Sequence, residues 1–232
     1  MGEFKQLTAA DGHTFNAYQA SPEGEPIGAI LLLQEIFGVN AHIRSVADGY
    51  AKEGYLVLAP AMFDRIERNV DLSYEPEDMQ KAFALYAPLM QLTPDATLLD
   101  VAATYAELKK AGKGIAVIGF CWGGLMTWLT ATRGETVQVQ PSCCVGYYAG
   151  GIGNYATEEP SCPVMLHFGA EDTHIGSDQI EAVRAAHPEV EIYVYEGAGH
   201  AFNRDVHPAS YSPAAAALAK ERTLAFLKAN IS

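Results

Sequence analysis

The chain has 232 residues, 15 Lys and Arg against 28 Asp and Glu, and a formal charge of −13. That balance argues against a sequence-independent nucleic-acid binder and against docking on an anionic membrane, both of which need surplus cations. At 49% hydrophobic and 19% charged residues, the composition is that of a folded domain and is too apolar for disorder.

The opening MGEFKQ has no apolar signal-type run, and Gln6 stands where a myristoylation signal wants Ser or Thr. Phe4 to Ser21 turns at Asp11-Gly12 and reads as a β-hairpin. Ile27–Leu33 is a continuous apolar run, expected of a strand buried on both faces and too short for a membrane span. Asn40 caps a predicted helix with Ile43, Val46, Ala47 and Tyr50 on one side and Gly54 at its end. A strand over Tyr55–Ala59 closes at Pro60, a charged and aromatic loop covers 61–74, and helical patterns follow at 76–90 and 95–111.

The second half repeats the alternation. Strands are predicted at Ile115–Ile118, Ser142–Tyr147, Pro163–Phe168 and Glu191–Tyr195, with helices at 123–132 and 176–186 and a last one opening at Ser212-Pro213. Strands alternating with helices of this length imply a mostly parallel α/β sheet, and no repeat or linker divides the chain: one domain over 1–232 is expected. Cys121, Cys143, Cys144 and Cys162 show no CxxC spacing. Without a signal peptide they read as reduced thiols of a cytoplasmic protein.

Gly119-Phe120-Cys121-Trp122-Gly123-Gly124 follows a predicted strand and opens a helix. Such a turn strains its central residue, demands small neighbours and pushes the central side chain to the carboxyl edge of the sheet. The Trp122 N–H then lies at a helix N-terminus, able to stabilise an oxyanion, and the same dipole favours thiolate at Cys121. The plainer reading is a buried structural thiol. A phosphate-binding glycine loop is not supported, because neither GxGxxG nor GxxxxGK[ST] is present. Asp172 and His200 each follow a predicted strand, and loops at the carboxyl edge of a parallel sheet converge on one crevice. The order Cys121, Asp172, His200 is that of nucleophile, acid and histidine in α/β-hydrolases. Glu171 is an alternative acid, His167 or His174 an alternative histidine, and a zinc site of His167, Glu171, Asp172 and His174 lacks HExxH spacing.

Together, Gln34-Glu35-Ile36-Phe37-Gly38-Val39-Asn40, the Cys-centred elbow, His167-Phe168-Gly169 with Asp172, and Gly199-His200-Ala201-Phe202 with Arg204 resemble the dienelactone hydrolase (carboxymethylenebutenolidase) family over essentially the whole chain. The resemblance implies a single α/β-hydrolase fold whose mostly parallel, twisted sheet is flanked by helices. It implies opening of the dienelactone ring to maleylacetate in the breakdown of chlorinated aromatics, with no cofactor and no metal, usually by a monomer; a weak dimer is the alternative. By the same resemblance Cys121 is the nucleophile, Asp172 and His200 complete the triad, and Glu35 takes the thiol proton when substrate binds. Ile36 N–H joins Trp122 N–H at the oxyanion, and Arg204 holds the substrate carboxylate. No motif matches the family's second arginine; Arg65 is the best-placed candidate, with Arg68 as its substitute. Phe37, Tyr147 and Phe202 are expected at the substrate pocket.

Trp122, where the family more often has an aliphatic residue, and the Gly-rich stretch Tyr147–Gly151 are departures that bear on the substrate. A general carboxylesterase or thioesterase with the same triad is the alternative enzyme, and a non-hydrolytic ligand-binding protein on the same fold is the alternative class.

Overall fold

The computed structural model describes residues 2–231. Its strands are β1 (Glu3–Thr8), β2 (Thr14–Ala20), β3 (Gly28–Leu33), β4 (Tyr55–Pro60), β5 (Ile115–Phe120), β6 (Cys143–Tyr147), β7 (Val164–Gly169) and β8 (Glu191–Tyr195). Its helices are α1 (Ala41–Lys52), α2 (Pro76–Leu92), α3 (Asp95–Leu108), α4 (Trp122–Arg133), α5 (Ser177–Ala186) and α6 (Pro213–Asn230). The strands form one sheet in the order β1-β2-β4-β3-β5-β6-β7-β8. The hairpin β1–β2 is antiparallel, β2 joins β4 antiparallel, and every pairing from β4 to β8 is parallel. Strands β3, β5, β6 and β7 are buried along their whole length, which their unbroken apolar runs require.

Helix α1 starts where expected, with Asn40 accepting from the Ile43 N–H, and Gly54 follows its end at φ 100°. The helix predicted over 95–111 stops at Leu108, and a 3-10 turn over Lys109–Ala111 tightens its last carbonyls before Gly112. Helix α2 runs through Pro88 to Leu92, two residues past the predicted end. The loop over 61–74 contains a 3-10 turn, Met62–Arg65. Among the described residues no helix is long and apolar enough to cross a membrane.

The strand order sets the location of a site. β3 lies between β4 and β5, so the chain leaves its carboxyl end in one direction and returns from the other side, opening a crevice there. Leu33 pairs with Gly119. The segment Gln34–Phe37 therefore begins beside the end of β5, at the elbow.

Candidate active site

Cys121 is the N-cap of α4 at φ 56° and ψ −118°, outside the conformations an L-residue prefers. Close packing holds it there. A Cβ on Gly119 would run into the Gly123 carbonyl, and one on Gly123 into the carbonyls of Leu33 and Gln34. Cys121 N–H donates to the Tyr147 carbonyl at 3.0 Å, which ties the turn to β6. The thiol is left partly exposed above the sheet edge.

The loops after β7 and β8 are stitched together. Glu171 N–H donates to the Ala198 carbonyl at 2.9 Å, and Gly169 leaves no room for a Cβ against that same carbonyl. His200 is thereby set between Asp172 and Cys121. Its Nδ1 donates to Asp172 Oδ2 at 2.7 Å, and its Nε2 lies 3.4 Å from Cys121 Sγ. The other oxygen, Asp172 Oδ1, accepts the N–H groups of His174 and Ile175 at 2.8 and 3.1 Å. Burial works against the imidazolium, but the Asp172 carboxylate and the Cys121 sulfur outweigh it and raise His200 to about 10. Burial likewise opposes ionisation of Asp172, yet its bonds to His200 and to the two amides hold the carboxyl below its ordinary range.

Ile36 and Trp122 both border the cavity beside Cys121. Trp122 is the first residue of α4, so its N–H has no acceptor within the helix. Ile36 is held by its neighbours: Leu72 N–H donates to the Phe37 carbonyl at 3.0 Å, and Gly38, at φ 81°, packs against the Val70 carbonyl where a side chain would clash.

Glu35 is completely buried. Arg204 donates to it through Nε at 3.2 Å and Nη2 at 2.9 Å, and Tyr74 Oη donates at 3.0 Å. Burial raises the Glu35 carboxyl, but Arg204, His42 and Tyr74 together bring it below its ordinary value. The Arg204 guanidinium lies 3.9 Å from the Tyr74 ring centre and 5.1 Å from that of Phe37. The sequence does not single out Tyr74, because a lone Tyr in a charged loop gives no periodic signal.

Several residues expected at the pocket lie elsewhere. Arg65 is turned away, bound through Nε and Nη2 to Asp100 at 2.7 Å each and through Nη1 to Asp11 at 2.8 Å. Arg68 reaches back to the Thr14 carbonyl and hydroxyl at 2.8 and 3.0 Å. Tyr147 points below the sheet edge, its hydroxyl 2.6 Å from that of Thr223, and Phe202 is completely buried against Tyr147, Tyr148 and Tyr195. A strand's side chains alternate between faces, so Tyr147 at the end of β6 is placed by parity, which motif matching ignores. Phe37 does border the cavity, as do Cys121, His200 and Arg204.

His167 is buried between Tyr195 and Thr223, so the zinc foursome weighed from the sequence is not assembled. Asp172, His174 and His200 do bring one ligand atom each within 4.8 Å of one another. Both Asp172 oxygens already accept hydrogen bonds, however, so a metal there would have to break the pairing with His200.

The cavity above the elbow measures about 530 Å³. One wall is α2, which presents Met79, Phe83, Tyr86 and Met90 at helical spacing. The sequence marks this segment only as a helical pattern over 76–90.

Comparison with known proteins places this arrangement. Residues 15–231 match the model of the dienelactone hydrolase family. The carboxymethylenebutenolidase of Pseudomonas putida is 31% identical, the match covering 95% of this chain and 94% of that protein. A crystal structure from Klebsiella pneumoniae that bears the dienelactone hydrolase name is 31% identical, with a TM-score of 0.78 over 96% of this chain and 98% of that one. A Pyrococcus furiosus esterase shares the fold at 19% identity, with a TM-score of 0.70 over 98% of this chain and 91% of its own.

Proposed function

The chain belongs to the dienelactone hydrolase family and is an ester or lactone hydrolase, and from that premise we propose that Cys121 is its nucleophile, working through an acyl-enzyme. The observation that carries this is the unbroken chain from Asp172 to His200 at 2.7 Å and from His200 to Cys121 at 3.4 Å. The thiolate attacks the carbonyl carbon, and the oxyanion is received by the N–H groups of Ile36 and Trp122. As the C–O bond breaks, His200 passes a proton to the departing oxygen, which leaves as an alcohol or enol. His200 then takes a proton from water, hydroxide opens the thioester, and the acid departs with the thiol restored. Asp172 keeps the imidazole in one tautomer and steadies its charge.

Glu35, the carboxylate expected to take the thiol proton, is held by Arg204 and Tyr74 in this arrangement, which leaves His200 as the base facing Cys121. The dienelactone-to-maleylacetate reaction of aromatic breakdown is one acyl transfer of this kind. It asks for a carboxylate clamp, and of the expected arginines only Arg204 borders the cavity. The setting we propose is a cytoplasmic monomer acting on small molecules, apart from nucleic acid and membrane. A charge of −13 and four cysteines without CxxC spacing support it.

Iodoacetamide treatment and Cys121→Ala are the test: each should abolish hydrolysis of a p-nitrophenyl ester, and retained hydrolysis in either would sink the mechanism. A metal held by Asp172, His174 and His200 would instead make the wild-type rate sensitive to a chelator.

A further inference from the structure

Three of the four cysteines take no part in the chemistry above, and two of them touch. Cys144, on β6, and Cys162, just before β7, bring their Sγ atoms to 3.7 Å. Backbone bonds fix both residues. Cys144 N–H donates to the Pro163 carbonyl at 2.9 Å, and the N–H and hydroxyl of Ser161 both donate to the Ala131 carbonyl, at 2.8 and 2.9 Å. The approach to β7 is thus tied to β6 on one side and to α4 on the other, which sets the two thiols side by side.

The two sulfurs are unlike. Cys144 is completely buried, and burial pushes its thiol up. Cys162 is half-buried between exposed Ser161 and Pro163, and its hydrogen bond with Cys144 holds its thiol below the ordinary range. One is an accessible attacking thiol, the other a sheltered partner that can resolve a mixed disulfide. Cys143 stands apart: successive residues of a strand face opposite sides, and burial pushes its thiol up to about 12. A structural metal needs more donors than this pair offers. Among the described residues the one cluster of three or more His, Cys, Asp and Glu ligand atoms is Asp172, His174 and His200.

We propose that Cys144 and Cys162 form a reversible disulfide, a latch behind the cavity wall, when a low-molecular-weight disulfide such as oxidised glutathione accumulates. The Cys162 thiolate attacks one sulfur of that reagent, whose other half leaves as a thiolate, and a mixed disulfide forms on Cys162. Cys144 then gives up its proton and attacks Cys162 Sγ, expelling the second thiolate. Two protein thiols are oxidised, one external disulfide is reduced to two thiols, and the protons shed by the protein end on the released thiols. The protein sulfurs need only close from 3.7 Å to about 2 Å. In a reducing compartment the pair stays a dithiol, so the bond forms only under an oxidising shift. The segment it closes carries Gly150, Gly151, Asn154 and Tyr155 of the cavity wall, together with the Tyr147 carbonyl that accepts from Cys121 N–H. Joining its ends removes freedom from the unfolded chain and so holds that wall in place. The latch does not depend on Cys121 being the nucleophile.

Oxidised glutathione and peptide mapping test it. The wild-type protein is incubated with the reagent, and its remaining thiols are trapped with N-ethylmaleimide in denaturant without reduction. Digestion should then give peptides joined through Cys144 and Cys162, with Cys143 alkylated, and dithiothreitol should undo the link. In Cys121→Ala, where no adduct forms at the elbow, the oxidised protein should melt about 5 °C or more above the reduced one. Cys162→Ser should lose both the link and that rise, whereas Cys144→Ala should stop at a glutathione adduct on Cys162. Absence of the link at reagent levels that modify Cys121, or a link to Cys143 in place of Cys144, overturns the proposal. A link that leaves Tm unchanged or lower overturns the latch. Should either substitution at the pair fail to fold, the wild-type map still decides.

Discussion

Two arginine–carboxylate pairs, Arg65 with Asp100 and Arg204 with Glu35, are almost equally hidden, with side-chain exposures of 8% and 0% in the first and 7% and 0% in the second. The first has the shorter bonds, 2.7 Å against 2.9 and 3.2 Å. Yet Asp100 is pushed up to about 6, whereas Glu35 lies below its ordinary value. Burial is the largest influence on both carboxyls, so what surrounds the pair decides the outcome. Arg65 is shared with Asp11, and Asp64 adds another negative charge, so Asp100 receives only part of one cation. Glu35 takes both hydrogen bonds of the Arg204 fork, and His42 and the Tyr74 hydroxyl add to them. The first pair fastens the turn after β4 to α3, and Arg65 also holds Asp11 of the hairpin turn; Arg204 of the second borders the cavity.

A third pair, Asp172 with His200, should give the largest effect. Asp172→Asn removes the leading support of the His200 charge. It is expected to lower kcat by about 10⁴ and to move the alkaline limb of the pH–rate profile to lower pH from its wild-type position near 10. A profile that drops in height without moving would break the link between that bond and His200. Arg65→Ala comes next, because it strands a buried carboxylate: denaturant unfolding should show a loss of about 3–5 kcal/mol, while the folded fraction keeps its kcat/KM. Lost activity at full stability would return Arg65 to the site.

Glu35→Gln frees Arg204 inside the cavity. It should cost about 1.5–3 kcal/mol of stability and shift selectivity toward anionic esters; an unchanged ratio would mean that Arg204 was never neutralised. The last prediction concerns pH. Since the folded-state Asp100 carboxyl lies above its unfolded value of 3.8, its contribution to stability is complete below about pH 4 and is lost as pH rises through about 6. Asp100→Asn should flatten that part of the curve of Tm against pH, and a slope unchanged from the wild type would assign it to another group.

Much of this is legible in the sequence. The elbow glycines, the strand-end positions of Asp172 and His200 and the Asn40 cap each follow from a local steric or hydrogen-bonding demand, and the structure brings those residues together as expected. Arg65 was misplaced because a loop charge carries no information about the distant carboxylate that will claim it. The available signal was Asp100, a lone acid between Leu98 and Val101 on the buried side of α3, which must find a cation. Tyr147 and Phe202 were drawn to the pocket by motif proximity, whereas strand parity and aromatic packing took them into the core. The sequence shows α2 only as a helical pattern over 76–90; the surface that its apolar residues face depends on tertiary contacts.

The nucleophile assignment is tested most directly by quenching the enzyme during turnover of p-nitrophenyl octanoate and measuring its intact mass. The account predicts a species heavier by one octanoyl group, with the modification mapping to Cys121 and absent from Cys121→Ala. Rapid hydrolysis with no such adduct, continuing in Cys121→Ala at the wild-type rate, would contradict it.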